Sequence, residues 1–134
     1  PNLADTGLAA AIADQAAALE PHMTVTVDVA DVAVTPQVEA VAYRIAREAL
    51  TNVAKHSSAA TVTVTVREES DRMTLAITDD GRGFDPRATP DGHLGLRISE
   101  DLAESVGGRL DVDSSPGRGT TVRFTGPTAS EQPT

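Results

Sequence analysis

The chain has 134 residues, with 11 Lys and Arg against 20 Asp and Glu, a net charge of −9, no cysteine and three aromatic residues. Its length predicts one domain, and its acidity argues against binding to nucleic acid or to an anionic membrane surface. The lack of cysteine excludes disulfides and thiolate metal sites. No apolar run reaches the roughly 20 residues of a membrane-spanning helix, so we expect a cytoplasmic domain without direct membrane contact.

Hydrophobic periodicity predicts two helices and one strand in the first part of the chain. The Ala-rich segment 6–20 has apolar residues at helical spacing and stops at Pro21. Residues 23–29 alternate apolar with polar side chains, as in a half-buried strand. The pair Thr35-Pro36 then supplies a cap and a first residue for the longest helix, which we expect to reach about His56.

The middle of the chain predicts a β-hairpin and a loop. Valine alternates with threonine over 62–66, apolar residues alternate again over 73–77, and the polar residues 68–71 turn between them. Residues 79–93 are rich in glycine, proline and aspartate, which predicts a loop.

The last part of the chain predicts one helix and two strands. Apolar residues recur every four positions, at Leu94, Ile98, Leu102 and Val106. The pair Gly107-Gly108 then ends the predicted helix. Strands are expected over 110–112 and 120–125, and residues 128–134 are expected to be a disordered tail after a domain of residues 1–127. This order predicts an α+β fold, a two-layer sandwich with a mixed, mostly antiparallel sheet of about five strands and three helices on one face.

Three polar residues of the long helix are spaced to form a strip beside its apolar face. Glu48, Asn52 and Lys55 lie at positions i, i+4 and i+7. Carboxylate and amide oxygens suit Mg²⁺, and a lysine one turn further on would reach a phosphate. The alternative is an ordinary solvated helix face, and the spacing alone favours that alternative.

A second pattern follows the second strand of the hairpin. Asp79 ends a strand with a buried pattern, and Gly81 and Gly83 permit positive φ angles and a close approach of a ligand to the backbone. A carboxylate in this place can accept a hydrogen bond from an exocyclic amine. A simple Asp-Gly turn is the alternative.

Two further glycine patterns occupy turns. Gly92 and Gly95 stand at the start of the third helix, where free N–H groups and the helix dipole suit phosphate. Segment 116–120 precedes the last strand. A flexible loop and a tight hairpin turn, respectively, are the alternatives.

The order of these patterns is more specific than any one of them. Glu-x-x-x-Asn-x-x-Lys-His, Asp-x-Gly-x-Gly, Gly-x-x-Gly-Leu and Gly-x-Gly-Thr resemble the N, G1, G2 and G3 boxes of the histidine-kinase-type ATPases. Segments 47–57 and 92–98 are especially similar to the nitrate-sensor/DesK-like branch of sensor histidine kinases. The resemblance covers residues 1 to about 127 and identifies the chain as the ATP-binding catalytic domain of such a kinase.

The resemblance implies a Bergerat fold that holds ATP between helices under a loop lid. It implies that Asn52 binds Mg²⁺ and ATP, that Glu48 lies close to the metal and its water, and that both are catalytic residues. It also implies that Asp79 accepts a hydrogen bond from the adenine amine. The other ATP-binding residues that it implies are Lys55, His56, Gly81, Gly83, Gly92, His93, Leu94, Gly95, Leu96 and Thr120.

The resemblance also implies partners. The γ-phosphate would pass to a histidine on an upstream dimerisation helix that this chain does not include, and then to a response regulator. We therefore expect a monomer that binds ATP and does not phosphorylate itself.

Three other functions stay open. An anti-sigma-factor serine kinase has the same fold and about this length. A degenerate, non-catalytic docking module would keep the fold without the chemistry. A hydrolase of the gyrase or chaperone type would use Glu48 to activate water.

Overall fold

The computed structural model describes residues 3–20, 22–83 and 94–128. Three helices and five strands are formed over these residues. In chain order they are α1 (Leu3–Ala17), β1 (Thr24–Val29), α2 (Pro36–Asn52), a single π-helical turn (Val53–Ser57), β2 (Thr61–Glu69), β3 (Arg72–Asp79), α3 (Leu94–Ser105), β4 (Arg109–Ser114) and β5 (Thr120–Pro127).

The strands form one mixed sheet in the order β1-β2-β3-β5-β4. β1 and β2 are parallel, and the other three pairs are antiparallel. The predicted α+β class, with a mostly antiparallel sheet and three helices, is confirmed.

The alternation of side chains in the strands divides the sheet into two different faces. Apolar residues from the central strands are buried against the helices, among them Val64, Leu75 and Phe124. The residues between them, such as Thr65 and Arg123, lie on the opposite face. The core therefore occupies the layer between sheet and helices, and the second face of the sheet is polar.

The central helix α2 begins as its sequence predicts and ends earlier. Thr35 caps it, accepting a hydrogen bond from the Val38 N–H at 3.2 Å, and Pro36 occupies the first turn. The helix was expected to reach about His56, but α-helical geometry stops at Asn52 and the chain continues as the π turn. Apolar periodicity does not distinguish the two geometries, because Val53 remains buried in the π turn.

The buried stripe of α3 differs from the predicted one. Ile98 is 44% exposed, whereas Ser99 and Ala103 are buried. Each step of four residues advances about 40° beyond a full turn, so residues spaced by four drift around the helix. Ile98 consequently lies at the margin of the packed face, and two small side chains let α3 approach the core.

The β2–β3 turn and the end of β5 meet at the end of the sheet furthest from Asp79. Ser70 and Asp71 both have positive φ, at 50° and 66°, and join β2 to β3 as a two-residue turn. The Asp71 carbonyl accepts hydrogen bonds from both the N–H and the hydroxyl of Thr128, each at 3.1 Å. Thr128, the first residue of the predicted tail, is buried, and residues 129–134 lie outside the described part of the chain.

None of the helices formed by the described residues combines the length and the apolar content needed to cross a membrane.

Candidate functional site

The register of the sheet aligns five residues in one row, one from each strand. Their pairings run from Val25 to Val62, then to Asp79, Thr120 and Ser114. Directly paired residues share a face of the sheet, and the burial of Val62 identifies this face as the one covered by helices. We call the three polar residues of this alignment, Asp79, Thr120 and Ser114, the polar row.

The π turn and the start of α3 are directed to the same end of the sheet as the polar row. The chain leaves the π turn and enters β2 at Thr61, one residue from the partner of Asp79. α3 ends at the opposite end, where Arg72 donates to the carbonyl of Gly107 at 3.4 Å. Its first turn therefore points back toward Asp79, and Asn52 is brought to this end by α2.

Asp79 is a buried carboxylate, only 6% exposed. One of its oxygens accepts a hydrogen bond from the Gly81 N–H at 2.8 Å. Burial raises the pKa of Asp79 above its ordinary 3.8, and the negative charge of Asp80 raises it further, while N–H groups of Gly81 and Thr120 lower it. Ionised, this group is a pure acceptor that would receive a hydrogen bond from a donor on a ligand.

Asp80 has a different role from its neighbour. Its Oδ1 accepts hydrogen bonds from the N–H groups of Ala60 and Thr61, both at 2.9 Å. These bonds to Thr61 and Ala60 hold the pKa of Asp80 below its ordinary 3.8. Asp80 thus fastens the chain that leaves the π turn to the end of β3, and only Asp79 faces the helix side.

The hydroxyl groups of the polar row form a short network. Ser114 Oγ lies 2.8 Å from Thr120 Oγ1, and it donates to the carbonyl of Gly119 at 3.0 Å. Thr120 was predicted to belong to the site. Ser114 was not predicted, because a serine at the end of a strand carries no motif.

The β4–β5 turn is interlocked with the chain that follows β3. The Gly117 N–H donates to the carbonyl of Arg82 at 2.6 Å. Gly83 and Gly119 have φ angles of +63° and +73°. A β-carbon at Gly83 would overlap the carbonyl of Ser115, and one at Gly119 would overlap the carbonyl of Asp79. Two of the predicted glycine patterns, Asp-x-Gly-x-Gly and Gly-x-Gly-Thr, are therefore one packed unit around Asp79.

The predicted polar strip on the long helix is only partly preserved. Glu48 and Asn52 are half-buried at the edge of α2, four residues apart. Lys55 is exposed and belongs to the π turn, so it does not continue the α-helical line. The wider turn, closed by i→i+5 hydrogen bonds, redirects it, and sequence spacing alone does not reveal this change.

A groove of about 710 Å³ runs along the outer side of α2 toward α3. Its volume falls within the range of small-molecule sites. Glu48 lies in its wall, whereas Asp79 does not. The residues that line it are Ala40, Val41, Tyr43, Arg44, Arg47, Glu48, Thr51 and Leu102.

Several residues implied by the resemblance are described only in part. Gly92 and His93 lie outside the described residues. The backbone of Leu94–Leu96 forms the first turn of α3, and that of His56 belongs to the π turn. The structure therefore places the backbone of Leu94–Leu96 and of His56, and the contacts of their side chains stay predictions.

The residues present at the helix edge suit a magnesium ion. Carboxylate and amide oxygens stand one turn apart at Glu48 and Asn52. Mg²⁺ is commonly bound by one or two protein oxygens together with substrate phosphates and water. Among residues 3–20, 22–83 and 94–128, no group of three or more His, Cys, Asp or Glu is arranged to hold a metal ion.

The sequence profile of the "Histidine kinase-, DNA gyrase B-, and HSP90-like ATPase" family matches residues 37–130. Sensor histidine kinase LiaS of Bacillus subtilis (strain 168) is 33% identical over 105 residues, which are 78% of this chain and 29% of that protein. The histidine-protein kinase/phosphatase DegS of Brevibacillus brevis is 33% identical over 95 residues, 71% of this chain and 25% of that protein. The chain thus spans less than a third of either relative.

Solved structures show the same fold. The histidine kinase domain of the blue-light activated histidine kinase of Erythrobacter litoralis EL346 superposes with a TM-score of 0.78 at 25% identity, over 92% of this chain and 62% of that one. The mycobacterial sensor histidine kinase MprB has a TM-score of 0.70 at 22% identity, over 92% of this chain and 93% of that one.

Proposed function

Since the chain belongs to the family of histidine kinase-, DNA gyrase B- and HSP90-like ATPases and is an ATP-binding catalytic domain of the sensor histidine kinase type, we propose that it holds Mg-ATP with the base at Asp79 and the phosphates toward Asn52. The nitrate-sensor/DesK-like branch stays a prediction. The observation that carries the proposed orientation is the buried carboxylate of Asp79 beside Thr120, at the end of the sheet reached by Asn52.

The base end of the site is formed by Asp79 and its glycine supports. The carboxylate accepts a hydrogen bond from the exocyclic amine of adenine. Gly81 keeps the carboxylate oriented through its 2.8 Å hydrogen bond. Gly83 and Gly119 let the two loops pack without side chains between them, and Thr120 supports the adenine end.

The phosphate end is formed by α2, the π turn and the first turn of α3. Asn52 and Glu48 would hold Mg²⁺, and this ion would supply neutralisation of the charge on the phosphates. Lys55 and His56 approach the phosphates from the π turn. Gly92 and Gly95 stay predicted as the lid hinge and as sources of phosphate-facing amides, with His93, Leu94 and Leu96 predicted beside them, and free N–H groups at the start of α3 suit phosphates.

The chemistry of the whole protein requires more than this chain. The γ-phosphate passes to a histidine on a dimerisation helix and then to a response regulator, and Glu48 assists at the phosphate end. We place this activity in the cytoplasm, and we propose that the chain alone is a monomer.

Calorimetric titration of Mg-ADP and of a non-hydrolysable Mg-ATP analogue into the chain tests the proposal. We expect wild-type binding to weaken at least about tenfold in Asp79→Ala, because a buried acceptor is lost. In Asn52→Ala we expect affinity that no longer depends on Mg²⁺. Asp113→Ala is the matched control, since Asp113 is an exposed carboxylate of β4 paired with Thr121 outside the polar row.

Asp113→Ala should bind as the wild type does. Circular dichroism of each variant separates loss of binding from loss of folding. A folded wild-type chain that binds neither nucleotide, or a folded Asp79→Ala that binds as well as the wild type, would overturn the proposed site.

A further inference from the structure

The hydrogen bonds that join Ser114 to Gly119 and to Thr120 together indicate which oxygen donates in each. The carbonyl of Gly119 can only accept, so the 3.0 Å bond to it uses the single hydroxyl hydrogen of Ser114. The 2.8 Å bond between Ser114 Oγ and Thr120 Oγ1 must then take its hydrogen from Thr120. Ser114 therefore accepts from Thr120.

This placement determines what Thr120 offers to a bound molecule. A threonine hydroxyl has one hydrogen and two lone pairs. With its hydrogen directed to Ser114, the Thr120 oxygen presents lone pairs only. Thr120 pairs directly with Asp79 on the same face of the sheet, and the β-carbons of such pairs lie about 5 Å apart. The polar row thus presents two adjacent acceptors.

A single carboxylate does not distinguish the two common kinds of purine. Asp79 alone accepts equally well from the 6-amine of adenine or from the ring N–H of a 6-oxo purine. A second acceptor beside it disfavours the 6-oxo group, because two lone pairs would then face each other without a hydrogen. A hydroxyl free to rotate would instead donate to that oxygen and remove the discrimination.

We propose that Ser114 is a positioning residue that locks the Thr120 hydroxyl as an acceptor, so that the nucleotide site selects 6-amino over 6-oxo purines. This inference rests on the proposed function, because it requires the base to lie at Asp79. Ser114 itself touches Thr120 and Gly119 and does not have to touch the base.

Mg-ADP and Mg-IDP are the matched probes, since inosine differs from adenosine at position 6 and lacks the 2-amino group of guanosine. Affinities for both are measured in the wild type, Ser114→Ala, Ser114→Thr and Thr120→Val. The wild type should prefer ADP. Ser114→Ala should reduce the ADP-to-IDP preference at least about threefold, the effect of one neutral hydrogen bond, and Thr120→Val should reduce it similarly. Ser114→Thr keeps the hydroxyl and should keep the preference.

A purely structural role of Ser114 would weaken both nucleotides by one factor and leave their ratio unchanged, and that result would overturn the inference while leaving the proposed function intact. A wild type that binds ADP and IDP equally would overturn it as well. Failure of the wild type to bind either nucleotide would instead overturn the proposed function, and with it the selectivity.

A measurement without nucleotide tests the lock itself. The three-bond coupling between the hydroxyl hydrogen and Hβ of Thr120, with the rate of exchange of that hydrogen with solvent, reports whether the hydroxyl is held in one direction or rotates. We expect a held hydroxyl in the wild type and in Ser114→Thr, and a rotating, faster-exchanging one in Ser114→Ala. A rotating Thr120 hydroxyl in the wild type, or a held one in Ser114→Ala, would contradict the role assigned to Ser114.

Discussion

Two consecutive aspartates at the end of β3 have opposite electrostatic surroundings. Burial raises the pKa of Asp79, whereas hydrogen bonds from Thr61 and Ala60 lower that of Asp80. The folded chain therefore holds a proton on Asp79 more tightly than the unfolded chain does, and holds one on Asp80 less tightly. The ionised carboxylate of Asp79 lowers the stability of the fold, and a hydrogen-bond donor on a ligand would offset this loss. The ionised carboxylate of Asp80 instead contributes stability.

This contrast predicts opposite pH dependences for Asp79→Asn and Asp80→Asn. The stability of the wild type relative to Asp79→Asn should fall as pH rises from 3.8 through the raised pKa of Asp79. The stability advantage of the wild type over Asp80→Asn should be at its full value above pH 3.8 and should decrease as pH falls through the lowered pKa of Asp80. Urea titrations of the three chains at about pH 3 and about pH 7 measure both differences.

Each variant serves as the control for the other, because both replace an aspartate by asparagine at the same strand end. Differences that change with pH in the same direction would contradict the assigned surroundings. Asp79→Asn should also bind Mg-ADP more weakly, even where it is the more stable chain.

Sequence patterns predicted Asp79 and Thr120 because each belongs to a motif with a chemical purpose. They did not predict Ser114, which acts through Thr120, or the role of Asp80, whose partners Ala60 and Thr61 are about 20 residues away in the chain. Contacts between distant segments leave no local pattern to read.

At the scale of elements, the β4–β5 turn supports Asp79 from the side. Gly117 and Gly119 both have positive φ, at +82° and +73°. A β-carbon at Gly117 would meet open space, whereas one at Gly119 would overlap the backbone of Asp79. The two glycines therefore have the same backbone requirement and different packing.

Gly119→Ala and Gly117→Ala form a matched pair on this turn. Gly117→Ala should cost about 1 kcal/mol of unfolding free energy through its left-handed backbone, with unchanged affinity for Mg-ADP. Gly119→Ala should cost about 3 kcal/mol, because overlap adds to the same strain, and should weaken binding by displacing Asp79. Urea titration and calorimetry measure the two effects. Equal losses of stability would show that the turn does not press on Asp79.

The helices and strands were largely predictable because their apolar periods are regular. The exceptions have physical causes. The π turn keeps Val53 buried, so the α-helical pattern continues through it. The exposure of Ile98 follows from the rotation of residues spaced by four around a helix. Because the π turn interrupts α2 without changing the apolar pattern, the spacing of apolar residues could not predict where α2 ends or where Lys55 points.

At the scale of the whole molecule, the chain holds a nucleotide site whose proposed target histidine lies in another part of the protein. His22 is exposed just before the edge strand β1, and β2 lies between β1 and β3, which carries Asp79. We therefore expect the isolated chain to present ATP and not to receive the phosphate.

Incubation with ATP labelled at the γ-phosphate should leave the isolated chain unlabelled. Phosphohistidine is labile in acid, so label is measured after separation at alkaline pH. Binding of Mg-ADP by the same preparation is the control that the nucleotide site is intact. Acid-labile label on this chain would contradict the prediction, and stable label on a serine would instead favour a serine kinase.

The polar row has a consequence for how errors in folding would affect activity. Its three residues come from three neighbouring strands, and a shift of any one strand by a single residue would move that strand's side chain to the opposite face of the sheet. The same shift would expose the buried apolar residues that alternate with the outward-facing ones, so the misaligned chain loses its core together with its site. A misaligned molecule would therefore be inactive and not merely weakened. The activity of a population of molecules would report the fraction that is correctly aligned.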